Sequence, residues 1–392
     1  MLGEYTMSSS TAPFDFILPT SIRFGEGSAM TIAGELLAQN IHSVLLITDP
    51  QIRKQSFTAK IVDHLTGNHI LVHIFDQVEA NPKDYNVKNA AEQAVLLKID
   101  ALLALGGGSP IDCAKAVSVL AAHGGEIRSY EDSSKISDQV LPLFSIPTTA
   151  GTGSEVTFSS VITDTKEQFK FTIKSPLIAP RIAFIDPLLT LSKPASLTAA
   201  TGLDALTHAI EAYTARNANP LSDAAALHAI ELINTHLAKA VFEPDNREAR
   251  SGMLVGSLIA GIAFSHSDVA AVHCIAEALG GKYDAAHGVC NAIALPVIME
   301  YNRDYAVDRY ARIAGAMGLS YSDSEEGARM AVQRVKDLAR EIQLPDFRSL
   351  GVREEDLQEI AEKSARNGSN KDNPRPMNTD DYLKVLGILY GN

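Results

Sequence analysis

The feature that most constrains this chain is a change of hydrophobic pattern about halfway along its 392 residues. Up to Ile185, short runs of β-branched residues and leucine alternate with stretches in which apolar residues recur at helical spacing. This alternation predicts β-α-β units and a mostly parallel sheet. After Asp186 and Pro187 only the helical spacing continues, so the C-terminal half should be helical. We therefore expect an α/β domain over residues 1–188 and an all-α domain over residues 189–392.

The individual elements follow from the same patterning. The expected strands are residues 43–48, 69–75, 101–105, 143–147 and 182–185. The expected helices between them are residues 28–39, 58–65, 87–97 and 111–123. Residues 14–24 are predicted to form two short strands around Pro19 and Thr20, an edge hairpin available for pairing with another subunit.

Composition and charge exclude several classes of protein. The chain is 46% hydrophobic and 21% charged, which is typical of a globular protein and not of a disordered one. Its net charge is −13 and no segment concentrates basic residues, so nucleic-acid binding is not expected. The longest apolar stretch, residues 94–105, is broken by Lys98 and Asp100, so no membrane span is expected. Three cysteines without a CxxC pair, and no signal-peptide pattern, indicate a cytoplasmic protein.

A glycine loop follows the strand predicted at residues 101–105. Residues 106–112 read GGGSPID and lead directly into an apolar helix pattern. Glycines let a backbone approach a ligand closely, and a helix N-terminus favours an anion, so a pyrophosphate fits this loop. A tight strand-to-helix turn with Pro110 at the first helical position explains the spacing equally well. The loop alone leaves both interpretations open.

A second loop, residues 148–157, follows the strand predicted at 143–147 and reads TTAGTGSEVT. Its hydroxyls and glycines can line the other side of a nucleotide, although ordinary loops use the same residue types. Asp49, after the first expected strand, stands where a carboxylate can accept both ribose hydroxyls and repel a 2′-phosphate. A helix N-cap is the alternative role for Asp49. The combination of features favours a nucleotide site.

Two helical segments each carry a pair of potential metal-binding side chains four residues apart. Asp204 and His208 form one pair, and His273 and Glu277 form the other. Residues at this spacing share one helix face. With His287, near the start of a further helix, one carboxylate and three imidazoles suit Fe²⁺, Zn²⁺, Co²⁺ or Ni²⁺. We assign the competing histidines to packing or surface roles: His228, His236 and His266.

The chain resembles the iron-containing (group III) alcohol dehydrogenase family in five segments that occur in the family's order: GGGSPID, PTTAGTGSEVT, AATGLDALTHAIEAY, AHGVCNAIALP and DNPRPMNTDD. The resemblance implies a Rossmann-like dinucleotide-binding domain, a helical metal domain, and a cleft between them for NAD and substrate. The metal ligands it implies are Asp204, His208, His273 and His287. The cofactor-binding residues it implies are Asp49, Asn81, Gly107, Gly108, Ser109, Thr148, Thr149, Thr152, Thr157 and Lys170. We add Asp112, at the end of the first glycine loop, to the expected cofactor-binding residues.

Two departures from the family pattern bear on the chemistry. Glu277 stands where relatives often carry a second histidine, four residues after the third ligand. Helical spacing puts it beside His273, where it can accept a proton, order a water or become a fifth ligand. Residues 366–370 read RNGSN, where relatives place acidic or Cys residues close to the substrate. We take His273 and Glu277 as candidate catalytic residues, and Phe264 as a candidate for the substrate pocket.

The expected function is hydride transfer between NAD and a small alcohol, aldehyde or ketone in the interdomain cleft. A metal ion, expected to be Fe²⁺ with Zn²⁺, Ni²⁺ or Co²⁺ admissible, would act as a Lewis acid on the substrate oxygen. We expect a homodimer or higher homo-oligomer. One alternative is a lyase of the dehydroquinate synthase-like type, which should place several basic residues near His273 and His287, where only Lys282 occurs. The other is a non-catalytic nucleotide- or metal-binding protein.

Overall fold

The computed structural model describes residues 13–137 and 139–391. They form two compact units. The first unit contains residues 18–194 and 244–254, and the second contains residues 13–17, 195–243 and 255–391. The chain therefore passes from the first unit to the second after Pro194 and returns briefly before completing the second.

A parallel sheet forms the centre of the first unit. The strands of this unit are β1 Ser21–Phe24, β2 Ser43–Ile47, β3 Leu71–Phe75, β4 Ala101–Gly106, β5 Leu143–Pro147, β6 Ser159–Asp164, β7 Phe169–Lys174 and β8 Ile182–Ile185. Six of them form the parallel sheet, in the order β1-β8-β5-β4-β2-β3, and β6 and β7 form a separate antiparallel pair. The five strands predicted between residues 43 and 185 are confirmed to within about two residues at their ends.

Helices cover both faces of this sheet, because successive strand residues point to opposite sides. The helices are α1 Ile32–Ala38, α2 Pro50–Arg53, α3 Ser56–Gly67, α4 Asp84–Leu97 and α5 Gly108–His123. Leu45 and Ile47 pack with α4 and α5, whereas Val44 and Leu46 pack with α1 and α3. The first unit is therefore a three-layer α/β/α structure, which confirms the predicted Rossmann-like fold class.

The direction of strand addition in the sheet reverses between β2 and β4. The chain continues from β2 to β3 on one side, and from β4 to β5 on the other. In parallel sheets, ligands bind beyond the carboxyl ends of the strands at such a reversal. The hydroxyl of Thr48 donates to the carbonyl of Leu105 at 2.7 Å, and the amide of Thr148 donates to the carbonyl of Gly106 at 2.9 Å. The predicted loops thus leave three neighbouring strands at the same edge.

The second unit is helical over its described residues, as predicted. Its helices are α6 Ala195–Thr214, α7 Pro220–Phe242, α8 Arg247–Ser267, α9 Ala271–Tyr283, α10 His287–Asn302, α11 Val307–Ala316, α12 Ser324–Glu341, α13 Leu357–Arg366 and α14 Thr379–Gly391, of which α8 begins in the first unit. α10 packs against both α6 and α9. Among the described residues, no single helix meets the length and hydropathy of a membrane span; α8 and α9, bent by 100° at their junction, meet them only as a pair.

Two details differ from the predicted secondary structure. Residues 14–20 form no strand, and β1 pairs in parallel with β8, so the predicted hairpin around Pro19 and Thr20 is wrong. Pro19 has no backbone N–H to donate to a ladder, which disfavours a strand there. The β6–β7 hairpin was missed, because it is inserted into the long connection between β5 and β8 and lies outside the six-stranded sheet.

Candidate functional site

Three helices of the second unit bring together the four side chains predicted to bind metal. Asp204 and His208 lie on α6, His273 lies on α9, and His287 is the first residue of α10. One potential ligand atom from each lies within 4.8 Å of all the others. The ring centroids of His208 and His273 are 4.5 Å apart, and those of His273 and His287 are 5.4 Å apart. These four side chains therefore face one small volume.

Close helix packing and burial define this cluster. Asp204, His208 and His273 are 2–4% exposed. Gly288 lets the first turn of α10 approach α6, because a Cβ at this position would lie 2.8 Å from the carbonyl oxygen of Ala200. This close packing of α10 against α6 places His287 beside Asp204 and His208.

Glu211, one turn after His208 on α6, is a site residue that the sequence analysis missed. Its Oε2 accepts a hydrogen bond from Nδ1 of His273 at 2.6 Å. Its carboxylate also accepts the backbone N–H groups of Ala270 and Val272, at 2.9 and 2.7 Å. Burial lowers the pKa of His273, but the bond to Glu211 and its charge outweigh burial and raise it. Because Nδ1 carries the proton in this bond, Nε2 presents a lone pair to the cluster.

Asn291, one turn after His287 on α10, was also missed. Its Nδ2 lies 2.6 Å from Oδ1 of Asp204, 3.1 Å from Nε2 of His273 and 3.2 Å from Nε2 of His287. Its Oδ1 is buried and has no hydrogen-bond partner among residues 13–137 and 139–391. Burial opposes ionisation of Asp204, but the three histidines and the Asn291 amide give a net lowering of its pKa. The signal that could have indicated Asn291 from the sequence is its position four residues after His287, which places both side chains on one helix face.

The donor set fits a divalent first-row metal. One ionised carboxylate and three imidazoles are the ligand types that such ions take. The bond to Glu211 turns Nε2 of His273 into the cluster, and the contacts of Asn291 show that Nε2 of His287 and Oδ1 of Asp204 face the same volume. The direction of these atoms, and not only the residue types, is therefore suited to a single cation.

The other two predicted residues of this region lie beside the cluster. The Phe264 ring stacks on His208 with centroids 4.4 Å apart and an angle of 20° between the planes. Glu277 lies one turn after His273 on α9, and its Oε2 accepts a hydrogen bond from Nδ2 of Asn367 at 2.5 Å. The two departures from the family pattern therefore contact each other.

The two glycine loops of the first unit also meet. A Cβ on Gly107 would lie 3.0 Å from Oγ1 of Thr149, and one on Gly108 would lie 2.7 Å from Cγ2 of Thr152. Gly107 is the N-cap of α5, and within the described chain no side chain caps that helix. Its first N–H groups are therefore available to an anion. The buried Oγ1 of Thr148 likewise has no hydrogen-bond partner in the described residues. These features fit the pyrophosphate of a dinucleotide.

Asp112 and Thr157, both predicted cofactor-binding residues, are engaged within the protein. Asp112 accepts hydrogen bonds from Oγ of Ser154 at 2.5 Å and from the amide of Val161 at 3.1 Å. Thr157 accepts one from Nζ of Lys115 at 2.8 Å, and Lys115 also donates to Ser154 at 2.9 Å. Lys115 is completely buried on α5 and ties the second loop to that helix. It was missed because a lysine within an apolar helix pattern suggests an exposed position.

Burial shifts the pKa of each ionisable group in this cluster. It lowers the pKa of Lys115 to about 8, although the charges of Asp112 and Glu155 oppose the shift. It raises the pKa of Glu155 to about 7 and also raises that of Asp112. Oε1 of Glu155 is buried without a hydrogen-bond partner among the described residues. The second glycine loop therefore packs on three ionisable groups, and the burial of these groups shifts each pKa towards the neutral form.

The remaining predicted cofactor residues occupy three places in the first unit. Asp49 is the N-cap of α2, with Oδ1 accepting the N–H groups of Gln51 and Ile52, both at 2.8 Å. The N-cap role considered for Asp49 is thus present. Ser109 lies in the first turn of α5. Lys170 on β7 donates to Oδ1 of Asn81 at 2.7 Å, so these two predicted cofactor-binding residues contact each other.

Comparisons with known proteins identify the family. Residues 19–187 match the model of iron-containing alcohol dehydrogenases, and residues 198–390 match the C-terminal model of the Fe-containing alcohol dehydrogenase family. The chain is 39% identical to 1,3-propanediol dehydrogenase of Citrobacter freundii over 95% of this chain and 98% of that protein. It is 34% identical to NAD-dependent methanol dehydrogenase of Bacillus methanolicus over 95% and 98%. A crystal structure of 1,3-propanediol oxidoreductase matches with a TM-score of 0.93 at 38% identity, over 96% of this chain and all of that one. The chain therefore belongs to the iron-containing alcohol dehydrogenase family, as its sequence motifs predicted.

Proposed function

We propose that this protein is an NAD-dependent alcohol dehydrogenase that interconverts small alcohols and aldehydes or ketones by hydride transfer, with a divalent metal ion as its second cofactor. The observation that carries this proposal is the convergence of four metal-binding side chains within 4.8 Å. Relatives named as propanediol and methanol dehydrogenases and as lactaldehyde reductase support the reaction class. The relative named as NAD-dependent supports the cofactor.

In this proposal Asp204, His208, His273 and His287 hold the metal. When bound, the ion supplies a Lewis acid that lowers the pKa of an alcohol hydroxyl. Asp204 supplies the only ionised oxygen among the four residues and offsets part of the positive charge. Phe264 covers one face of His208 with an apolar ring, which suits the alkyl part of a small alcohol.

We propose that Glu277 accepts the proton that the alcohol releases. Its carboxylate is one helical turn from His273, and its charge contributes to the raised pKa of that histidine. The hydrogen bond from Asn367 orients the carboxylate. His273, the other candidate catalytic residue, would act at the same site as a metal ligand through its imidazole.

NAD is proposed to bind to the first unit at the carboxyl edge of the sheet. The N–H groups of Gly107, Gly108 and Ser109 would hold the pyrophosphate, with hydroxyls from the second loop beside them: Thr148, Thr149 and Thr152. Oδ1 of Asp49 caps α2, which leaves Oδ2 to accept ribose hydroxyls. Asp112 and Thr157 would shape the second loop from beneath. Asn81 and Lys170 would contribute together as the hydrogen-bonded pair observed.

We also propose a homodimer or higher homo-oligomer that works in the cytoplasm, with residues 1–188 binding the nucleotide and residues 189–392 binding the metal. β1 forms one edge of the sheet, and Phe24 at its end and Leu18 before it are 47% and 44% exposed, which supports association between subunits. The three cysteines are buried thiols that form no disulfide bond in the described part of the chain, which supports a reducing compartment.

The test uses metal-free protein reloaded in turn with Fe²⁺, Zn²⁺, Ni²⁺ or Co²⁺ and supplied with NAD and a panel of alcohols. We expect NADH to accumulate in proportion to alcohol consumed with at least one metal, and none in the metal-free sample. A lyase that uses NAD transiently would consume substrate without net NADH. A binding protein would leave every alcohol unchanged, and either result would overturn the proposal.

A further inference from the structure

Two buried side chains outside the donor set are hydrogen-bonded directly to residues of that set. We propose that Glu211 and Asn291 are the positioning residues of the metal site: Glu211 fixes the ring of His273, and Asn291 fixes the carboxylate of Asp204. The inference rests on the metal site proposed above and adds the residues that keep its donor atoms in place before an ion arrives.

Glu211 joins two of the ligand-bearing helices. It leaves α6 one turn after His208 and reaches the start of α9, where it accepts the N–H groups of Ala270 and Val272 as well as that of the His273 ring. These three bonds occupy the carboxylate, which is 3% exposed, and so fix both the helix end and the imidazole. A ring flip of His273 would break the 2.6 Å bond to a buried charge. The proton therefore stays on Nδ1, and Nε2 stays directed into the cluster.

The charge of Glu211 has a second consequence for His273. A carboxylate that accepts the proton of one imidazole nitrogen increases the electron density at the other and makes it a stronger metal ligand. Replacing Glu211 by glutamine keeps one oxygen that can accept from Ala270 and His273, but removes the negative charge and turns an NH2 group towards the N–H of Val272. The thermal unfolding of Glu211→Gln therefore reports the change in packing of α9 against α6, and its metal affinity reports the electronic contribution.

Asn291 links α10, the third ligand-bearing helix, to α6. It is fully buried on α10, and its Nδ2 donates to Oδ1 of Asp204 on α6 at 2.6 Å. An amide nitrogen has two hydrogens, so it cannot donate to Asp204, His273 and His287 at the same time. Of the three acceptors, the carboxylate is the charged one and is the nearest, which makes that bond the strongest. It holds Oδ1 of Asp204 at 3.9 Å from Nδ1 of His208 and at 3.9 Å from Nε2 of His287.

Matched pairs of variants test these roles. Glu211→Gln is compared with Glu231→Gln, which alters an exposed glutamate on α7, and Asn291→Ala with Asn302→Ala, which removes another buried amide from α10. The affinity for Co²⁺ and Zn²⁺ is measured by competition with a chelator, alongside the visible spectrum of bound Co²⁺ and the thermal unfolding of the metal-free protein. We expect Glu211→Gln and Asn291→Ala each to raise the metal Kd by about 10- to 100-fold and to change the Co²⁺ spectrum, and the two controls to do neither.

The outcomes separate the two levels of the argument. If the unmodified protein and His273→Ala bind the metals equally weakly, the metal site itself is wrong. If His273→Ala loses the metal while Glu211→Gln and Asn291→Ala bind it as tightly as the unmodified protein, only the positioning roles are wrong. Should Glu211→Gln fail to fold, Glu211→Asp keeps the charge but shortens its reach, and unchanged metal affinity in that variant would contradict the role of Glu211.

Discussion

The two glycine loops of the first unit would bind a nucleotide largely through their backbone, whereas the predicted metal ligands of the second unit are four side chains. Gly107 and Gly108 offer N–H groups at the start of α5 and fit only because they lack a Cβ. In the metal cluster, chemically distinctive donors project from α6, α9 and α10. The loops depend on shape, and the cluster depends on the identity and direction of individual atoms.

This difference also appears in what supports each site. Beneath the second glycine loop, the buried Lys115 and the half-buried Asp112 hold the loop through Ser154. Behind the predicted metal ligands, Glu211 and Asn291 are hydrogen-bonded directly to His273 and Asp204. In both units, therefore, polar groups beneath the surface hold the candidate site residues. Variants in one site should leave ligand binding to the other intact.

The largest expected effect is that of His273→Ala. Loss of one of three imidazoles should abolish measurable metal binding and lower turnover by at least about 100-fold, because even an outer partner of a ligand can cost that much. NADH affinity should stay unchanged. Metal content after dialysis, turnover and NADH titration check this. The control is His228→Ala, an exposed imidazole on α7 that should alter none of the three. Full activity without metal would contradict the site.

Gly108→Ala is the counterpart of His273→Ala in the first unit, because it should weaken NADH binding and leave metal binding unchanged. The new Cβ would lie 2.7 Å from Cγ2 of Thr152, so one of the loops must move at a cost of about 1 to 3 kcal/mol. We expect NADH affinity to fall by roughly 10- to 100-fold with metal affinity unchanged, measured by titration of each ligand. Gly387→Ala, on α14 with no atom within 4 Å of the new Cβ, is the control. Normal NADH affinity in Gly108→Ala would remove that loop from the nucleotide site.

Glu155→Gln tests the charge cluster beneath the second loop. Burial raises the pKa of Glu155 from 4.5 to about 7, so the folded state keeps a proton that the unfolded state releases. The free energy of unfolding should therefore fall as pH rises through this window, by up to roughly 1.4 kcal/mol per pH unit. Glu155→Gln should lack that part of the slope. Urea unfolding of both proteins at several pH values between 4.5 and 7 measures the difference, and parallel pH profiles would contradict the raised pKa.

Asp49→Asn has the smallest expected effect. Asparagine is as good an N-cap as aspartate, so the hydrogen bonds to Gln51 and Ile52 should survive while the charge is lost. The preference for NAD over NADP should fall several-fold, about 1 kcal/mol, because the repulsion of a 2′-phosphate disappears. Ratios of kcat/KM for the two cofactors give this value. Asp323→Asn changes a comparable cap on α12 and should leave the ratio unaltered; an unchanged ratio in Asp49→Asn would limit Asp49 to its structural role.

The same contrast between the sites explains what the sequence could predict. Hydrophobic periodicity located the five strands of the main sheet between residues 43 and 185, though not β6 and β7, and the helical second half, because burial on two sheet faces or one helix face leaves a regular pattern. The four-residue spacing of Asp204 and His208 predicted that their side chains lie close together, because both are on one helix. Which strands pair with each other was harder to predict from the sequence. β1 pairs with β8 across more than 150 residues, and nothing near Pro19 indicates this.

The residues that sequence reasoning missed are those whose role depends on a distant partner. Glu211 and Asn291 are ordinary residues of apolar helices until α9 and α10 pack against their neighbours. Lys115 similarly has no local sign of burial, because its partners Ser154 and Thr157 lie about 40 positions away. Tertiary packing, and not local pattern, gives these side chains their function.

The separation of the metal donors along the chain determines when the site can form during synthesis. His273 meets Glu211 across 62 positions, and Asn291 meets Asp204 across 87. Most of the first unit leaves the ribosome before Asp204 does, and the full donor set exists only after the start of α10 has emerged. Capture of an ion by the proposed site is consequently a late event in biogenesis, which follows the synthesis of most of the sheet-containing unit and cannot guide its early folding.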